Sequence, residues 1–365
     1  MLMFSNNQKI SVRQLKRLLV MDWIGKISLL LPRFIVQSSG KDLILSLILG
    51  VGITAVYTCI VCYLSRYITR SFGGYVELRL GRASAFALCL VYWSYMFVNL
   101  LYITRVFGAV TRQYMLPELS ENIPCILMLL GGFYASMDPK ERRGRIAEVL
   151  YPFVLIPLLI LLVIASFGVQ SEYFTYESAN FNAVTMKQSF QVFTAFGGVS
   201  LILFEAPFIQ KSGMRLRTTL KGLMITAIGI GAAILIGIGS FGDQGMKALR
   251  WPVVTLMSNV DIPGGFLQRF DILFLALLLM SFFVAASTGI FYLNLIFKEM
   301  FKQPEEKHYH LLMLILSIAG VLWCKNVEIA QQLFLTVNCY LLIPIMAVFT
   351  VIFAILEWEK RRRSK

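Results

Sequence analysis

Trp23-Ile-Gly-Lys-Ile-Ser-Leu-Leu-Leu-Pro32-Arg33-Phe34-Ile-Val-Gln37 and Phe196-Gly-Gly-Val-Ser-Leu-Ile-Leu-Phe-Glu205-Ala-Pro207-Phe208-Ile-Gln210 read as two drafts of one segment. Each carries a Gly, an apolar residue and a Ser, then a Leu-rich run to Pro, Phe and Gln. Gly25 and Gly197 lie 172 positions apart, close to half the chain. The pair points to two structural repeats, each opening with a membrane helix weakened at its middle, the way inverted-repeat transporters build a midplane site. The match needs a two-residue gap, so chance recurrence in an apolar chain is the alternative that the remaining sequence must decide.

Of 365 residues, 58% are hydrophobic and 15% charged, too little polar side chain to cover a soluble domain. The chain therefore reads as an integral membrane protein. Crossing about 30 Å of hydrocarbon takes roughly 20 apolar residues, and ten runs qualify: 12–34, 42–64, 84–110, 122–137, 147–169, 187–210, 219–241, 267–297, 309–324 and 328–357. They form one polytopic domain over 1–365, with repeat one at about 10–169 and repeat two at about 186–357. The expected fold is all-α, with ten transmembrane helices in two repeats, each opening with a helix weakened at its middle.

The net charge of +14 sorts by loop. With the amino terminus in the cytoplasm, 24 Lys and Arg fall inside and eight outside, which satisfies the positive-inside rule with both termini cytoplasmic. The basic excess is thus mainly a topology signal and gives nucleic acid no special claim. All six cysteines lie in or beside apolar runs without the paired spacing of a disulfide or metal framework, so packing is their expected role. His308 and His310 stand in a loop without a carboxylate or cysteine cluster, and no cofactor is expected. The first apolar stretch runs into Pro32-Arg33 without a small-residue cleavage site, reading as a first membrane helix rather than a removed signal peptide.

Charges inside the runs need a reason. Asp22 and Lys26 stand four apart in helix one, either a self-neutralising pair or the mark of a broken helix facing a cavity. Glu205 in helix six is a proton or ligand site, or a structural group with a basic partner elsewhere. In helix three, Tyr92, Tyr95, Asn99 and Tyr102 share a face that either lines a polar pathway or packs. Arg105 and Arg112, near its outer end, are expected to snorkel to the headgroups. Gly242 to Val260 is amphipathic and expected at the outer surface. Ala285 to Gly289 in helix eight permits close approach of another helix.

One set of motifs is spread along the chain. They are Ile10-Ser11 with Gln14-Leu15, Ile24-Gly25 leading to Leu31-Pro32-Arg33, Arg105 with Phe107, and Arg145 with Glu148-Val-Leu and Pro152. Gly198 with Pro207-Phe208 follows. The most specific is Trp251-Pro252 followed by Ile262-Pro263 and Phe266-Leu-Gln-Arg269-Phe270-Asp271. Together these motifs resemble the spore germination permease family, within the amino acid, polyamine and organocation transporter superfamily. The resemblance implies an all-α integral membrane fold of ten transmembrane helices as two inverted five-helix repeats of the LeuT-like kind, with helices one and six broken. The resemblance implies the B subunit of a nutrient germinant receptor in the spore inner membrane, beside a larger A subunit and a lipoprotein C subunit. It implies a ligand such as an amino acid at Ile24, Gly25, Gly197 and Gly198; Ser200 beside them, and Tyr95 and Asn99 from the helix-three face, are the further candidate lining. Two departures stand out: Lys26 where the family continues with small residues, and Ser200 at an often acidic position, with Glu205 further along. Asp22, Lys26 and Glu205 are the candidate charge-switch or proton groups. A sensor, a proton-coupled amino acid transporter, and an ion-conducting or assembly subunit all need such a chain; no nucleophile with its base, metal cluster or phosphate loop points to an enzyme.

Overall fold

The computed structural model describes residues 9–38, 43–137, 140–174, 181–209, 215–259, 270–302 and 307–363. Its elements in chain order are α1 (Val12–Ser38), α2 (Leu43–Leu64), α3 (Phe72–Leu80), α4 (Arg82–Tyr114), α5 (Asn122–Ser136), α6 (Lys140–Ser166) and α7 (Ala183–Ala195). Then come α8 (Ile202–Glu205), α9 (Arg215–Ala248), α10 (Pro252–Ser258), α11 (Phe270–Phe301), α12 (Lys307–Trp323), α13 (Val327–Leu333) and α14 (Ile343–Arg363). Among the described residues, six helices are long and apolar enough to cross a membrane, and α7 with the segment after it makes a seventh, bent by 42°. The apolar helices α5 and α12 are shorter, and α1 is long but charged. Together these occupy the ten places expected. The Ile262–Arg269 part of the most specific motif lies outside the described residues.

Helix α1 starts with a reciprocal cap: the Gln14 amide donates to Ser11 Oγ at 3.2 Å, and the Ser11 amide donates to Gln14 Oε1 at 2.9 Å. It then runs unbroken through Gly25 and Lys26 to Ser38, correcting the expected break. The Lys26 ammonium donates to Asp22 Oδ2 at 2.7 Å along one turn of the helix, so the two charges staple the turn where the break was expected. Gly25 backs onto α11, where a Cβ would lie 3.2 Å from the Ser281 carbonyl carbon and oxygen. The sixth span does break: α7 ends at Ala195, Gly197–Leu201 is a 3₁₀ turn, and α8 follows.

The packing follows two-fold logic. The first span lies against the seventh, α9, and its repeat counterpart, the sixth, lies against the second, α2. The third and eighth spans, α4 and α11, pack on each other at the centre. Close approach is bought by small residues, with Gly132 of α5 set against the Ala286–Ser287 backbone of α11. Ile10 and the last turns of α14 lie toward one face, linked through α3 and α8. Ile10 pairs with the strand-like stretch after α8, its amide donating to Phe208 O at 2.9 Å. The short α3 at this face receives Glu299 of α11 on the Gly73 amide at 2.7 Å and offers Tyr75 Oη to Glu357 of α14 at 2.6 Å.

Two further expectations are corrected. Arg105 does not snorkel; it is 1% exposed, donating from Nε to Val321 O at 2.8 Å and from Nη1 to Asn122 Oδ1 at 2.9 Å. A carbonyl near the end of α12, short of an intrahelical donor, is a closer acceptor than any headgroup. Within Gly242–Val260, α10 is packed into the bundle rather than lying on the bilayer, because Pro252, Val253, Val254, Leu256 and Met257 are all buried.

Candidate functional site

The break in the sixth span is where the chain brings its polar groups closest to exposed backbone. With no side chains at 197 and 198, neighbours reach the turn itself. A Cβ at Gly197 would meet Ile343 Cδ1 at 2.6 Å and Tyr95 Oη at 3.1 Å, and one at Gly198 would meet Asp22 Oδ2 at 3.3 Å. Trp23 stacks edge-on against Phe196, ring centroids 5.4 Å apart, which seats the middle of α1 on the break. Ser200 turns inward and donates to Gly197 O at 2.8 Å. Asp22, Gly197, Gly198, Ser200 and Tyr95 thus form one neighbourhood.

Other expected members stand elsewhere. Ile24 faces away, into an apolar groove with Ser28 and Pro32 of its own helix, and Gly25 is spent on packing against Ser281. Asn99 is buried on α4 one turn from Tyr95 and donates to Tyr95 O at 2.7 Å. Tyr92 sits toward the chain-end face, its ring against Phe72 and Phe204, with Tyr92 Oη 3.5 Å from Thr350 Oγ1. Tyr102 packs on Phe334.

The site is electrostatically unfinished. Asp22 and Lys26 are both about 5% exposed, and Lys26 satisfies only one carboxylate oxygen; Asp22 Oδ1 and the Trp23 indole nitrogen have no hydrogen-bond partner. Burying such groups is costly unless something completes them.

Nearer the chain-end face lies a second charged pair. Glu205, at the end of α8, is paired with Arg143 of α6, and both are nearly sealed from solvent. The guanidinium lies over the Phe291 ring at 3.7 Å and near Tyr292 at 5.4 Å, so the pair joins α6, α8 and α11. Arg143 Nε, Arg143 Nη1 and Glu205 Oε2 lack partners. Just outside it, Glu148 of α6 holds α1 by accepting from Gln14 Nε2 at 3.1 Å and from Arg17. Glu205 therefore has the basic partner that sequence left open. In the sequence nothing sets Arg143 apart from its neighbours Lys140, Arg142 and Arg145, although an intramembrane Glu requires a cation within reach.

Sequence reasoning also missed the tenth span's irregularity. Phe334–Leu342 is π-helical, with the Ile343 amide bonding back to Asn338 O. Asn338 is fully buried, and neither of its amide atoms has a partner. The segment faces the break: Cys339 accepts from Thr194 of α7 at 3.4 Å, and Ile343 touches Gly197. π-Bulges recur at functional sites, and an Asn in an apolar run was the available signal.

The profile of the family described as Spore germination protein matches residues 9–331. The chain belongs to that family. It is 21% identical to Spore germination protein YndE of Bacillus subtilis (strain 168) over 98% of this chain and 99% of the relative. It is also 20% identical to Spore germination protein B2 of the same organism, over about half of each chain. Among solved structures it resembles MhsT in complex with L-phenylalanine, with a TM-score of 0.69 at 12% identity over 93% of this chain and 88% of that one. It also resembles a substrate-bound Na⁺-coupled sialic acid symporter, with a TM-score of 0.60 at 11% identity, over 93% and 77%. These likenesses establish the fold: ten spans in inverted repeats of the LeuT kind, with the sixth broken. The family member is thus a multi-pass membrane protein of germination with a transporter's architecture.

Proposed function

We propose that this chain is the B subunit of a spore nutrient germinant receptor, sensing a small nutrient, an amino acid by preference, at the break of the sixth span. The observation that carries the reading is the convergence of Asp22, with an unsatisfied oxygen, and Tyr95 on the bare backbone of Gly197 and Gly198. A zwitterion offers an ammonium for the carboxylate and a carboxylate for backbone N–H groups. One solved relative of the fold holds L-phenylalanine, and the germination relatives supply the sensing context. On this reading the partners are a larger membrane A subunit and a lipoprotein C subunit. The membrane is the spore inner membrane, with both termini on the core side by the 24 to 8 charge asymmetry.

The test is binding of radiolabelled amino acids to the purified chain in lipid nanodiscs, beside germination of spores carrying the same variants. Gly197→Leu is expected to remove both binding and response while the protein still accumulates. Normal binding and germination in that variant would take the site away from the break. Asp22→Asn and Lys26→Met separate a switch from a static pair: a static pair predicts a near-normal response from the double variant, a switch predicts that it fails.

The buried Arg143–Glu205 pair favours one second reading, a proton-coupled amino acid transporter in which protonation of Glu205 frees Arg143. Uptake into vesicles driven by an inward proton gradient, lost in Glu205→Gln, would support it over a sensor that binds without moving its ligand.

A further inference from the structure

Between α1, α6 and α9 the bundle holds a half-open groove, about 570 Å³ when the open space at its mouth is included. Its inner wall is α1, through Ile24, Ser28 and Pro32; its sides are leucines of α6, among them Leu158, and the Gly229 turn of α9. Val253 of α10 and Phe274 of α11 close one end. The lining is almost wholly carbon. The hydroxyl of Ser28 already donates to Ile24 O at 2.6 Å and that of Thr226 to Gly222 O at 3.1 Å, so neither seeks a polar guest. There is room along the α9 wall, where a Cβ added at Gly229 meets nothing within 4 Å.

The mouth opens sideways. It is flanked by Ile156 (56% exposed) and Ile160 of α6 and by Ile228 (64% exposed) of α9, apolar side chains that in a membrane-spanning bundle face hydrocarbon. The groove is continuous with this lipid-facing band, and a void lined by carbon is stabilised by filling with carbon. We infer that it is a binding site for one acyl chain of a bilayer phospholipid, inserted laterally between α6 and α9. The chain end lies against the Ile24–Ser28 turn, about 100° around α1 from Gly25 and on the far side of the helix from Asp22 and Lys26. An occupied groove therefore supports the helix that carries Asp22 and Lys26 from behind. The inference stands independently of which nutrient, if any, the chain senses.

The test uses the full chain in phosphatidylcholine vesicles carrying a diazirine midway along one acyl chain, with cross-linked residues located by mass spectrometry after illumination. Adducts are expected on Ile24 and Ile230, which are 7% and 6% exposed and out of reach of lipid that merely surrounds the bundle. Gly229→Phe, which fills the groove, is expected to lower those adducts at least fivefold while leaving labelling of the outward-facing Ile315 unchanged. Leu158→Ala, which widens the groove, is expected to raise them, and decides the matter should Gly229→Phe fail to fold. Excess unlabelled palmitate is expected not to compete; competition would assign the site to free fatty acid and overturn the phospholipid assignment. Adducts confined to exposed side chains, or equal labelling of Ile24 in all three proteins, would overturn the site itself.

Discussion

Neutralising Glu205 tests whether the second charged pair holds the chain-end face shut. In Glu205→Gln the guanidinium of Arg143, about 4% exposed, loses its carboxylate partner and keeps the rings of Phe291 and Tyr292. Removing one partner of a buried ion pair costs about 3–5 kcal/mol. A desolvated cation–π contact retains about 2 kcal/mol for the stranded cation, which places this case at the low end, about 3 kcal/mol. The pair joins α6, α8 and α11, so its loss is felt only where those helices meet. At about 1.4 kcal/mol per tenfold, the ratio of open to closed forms rises about a hundredfold. The assay is maleimide labelling of Ser200→Cys, at a position fully buried in the closed structure, in a background without the native cysteines. When opening is fast, the labelling rate follows the open population. Glu205→Gln should label about a hundred times faster, and Arg143→Met with Glu205→Leu, which strands no charge, should return within a few-fold of the parent. An unchanged rate in Glu205→Gln, or equal acceleration in the double variant, would refute the gate.

Three shorter predictions follow from the same geometry. Gly197→Ala brings a methyl 2.6 Å from Ile343 Cδ1 and should cost about 1–3 kcal/mol by overpacking; Ile343→Val should recover most of it, as read by denaturation. Asn338→Leu removes a buried amide without partners and should raise stability by about 1–3 kcal/mol while impairing the nutrient response; a neutral effect on both would deny Asn338 a role. Tyr75, on α3 outside the membrane, has its pKa pushed above the ordinary 10.0, first by burial and then by donation to the Glu357 carboxylate. A raised folded pKa means that its contribution to stability is complete below the unfolded value near 10 and is lost as pH rises through the folded one. Tyr75→Phe should therefore flatten the decline of stability above about pH 10, and an unaltered alkaline slope would contradict it.

How much was legible beforehand differs by kind of residue. Apolar length located the spans because the bilayer imposes it locally. The helix-six break was legible at Gly197-Gly198 because backbone without side chains is locally permissive. The same reasoning failed at Gly25: one Gly followed by a Lys that reaches Asp22 keeps the helix closed, and the preference for a helix over a break is settled by that pair and by the α11 backbone behind it.

The sequence by itself determined the solvent, the number of spans, the half-chain repeat and which charged groups stood where hydrocarbon is expected, since composition and period are local properties. Only the tertiary structure decided which charges meet. Arg143 and Glu205 are 62 positions apart, and Arg105 finds its acceptor 216 positions away on Val321. Ile24 and Gly25, adjacent in sequence, face different surroundings because successive residues on a helix point about 100° apart. Partners for buried charge are chosen by where whole helices cross, and crossings are set by the sum of small and large residues on both faces, which no single stretch contains.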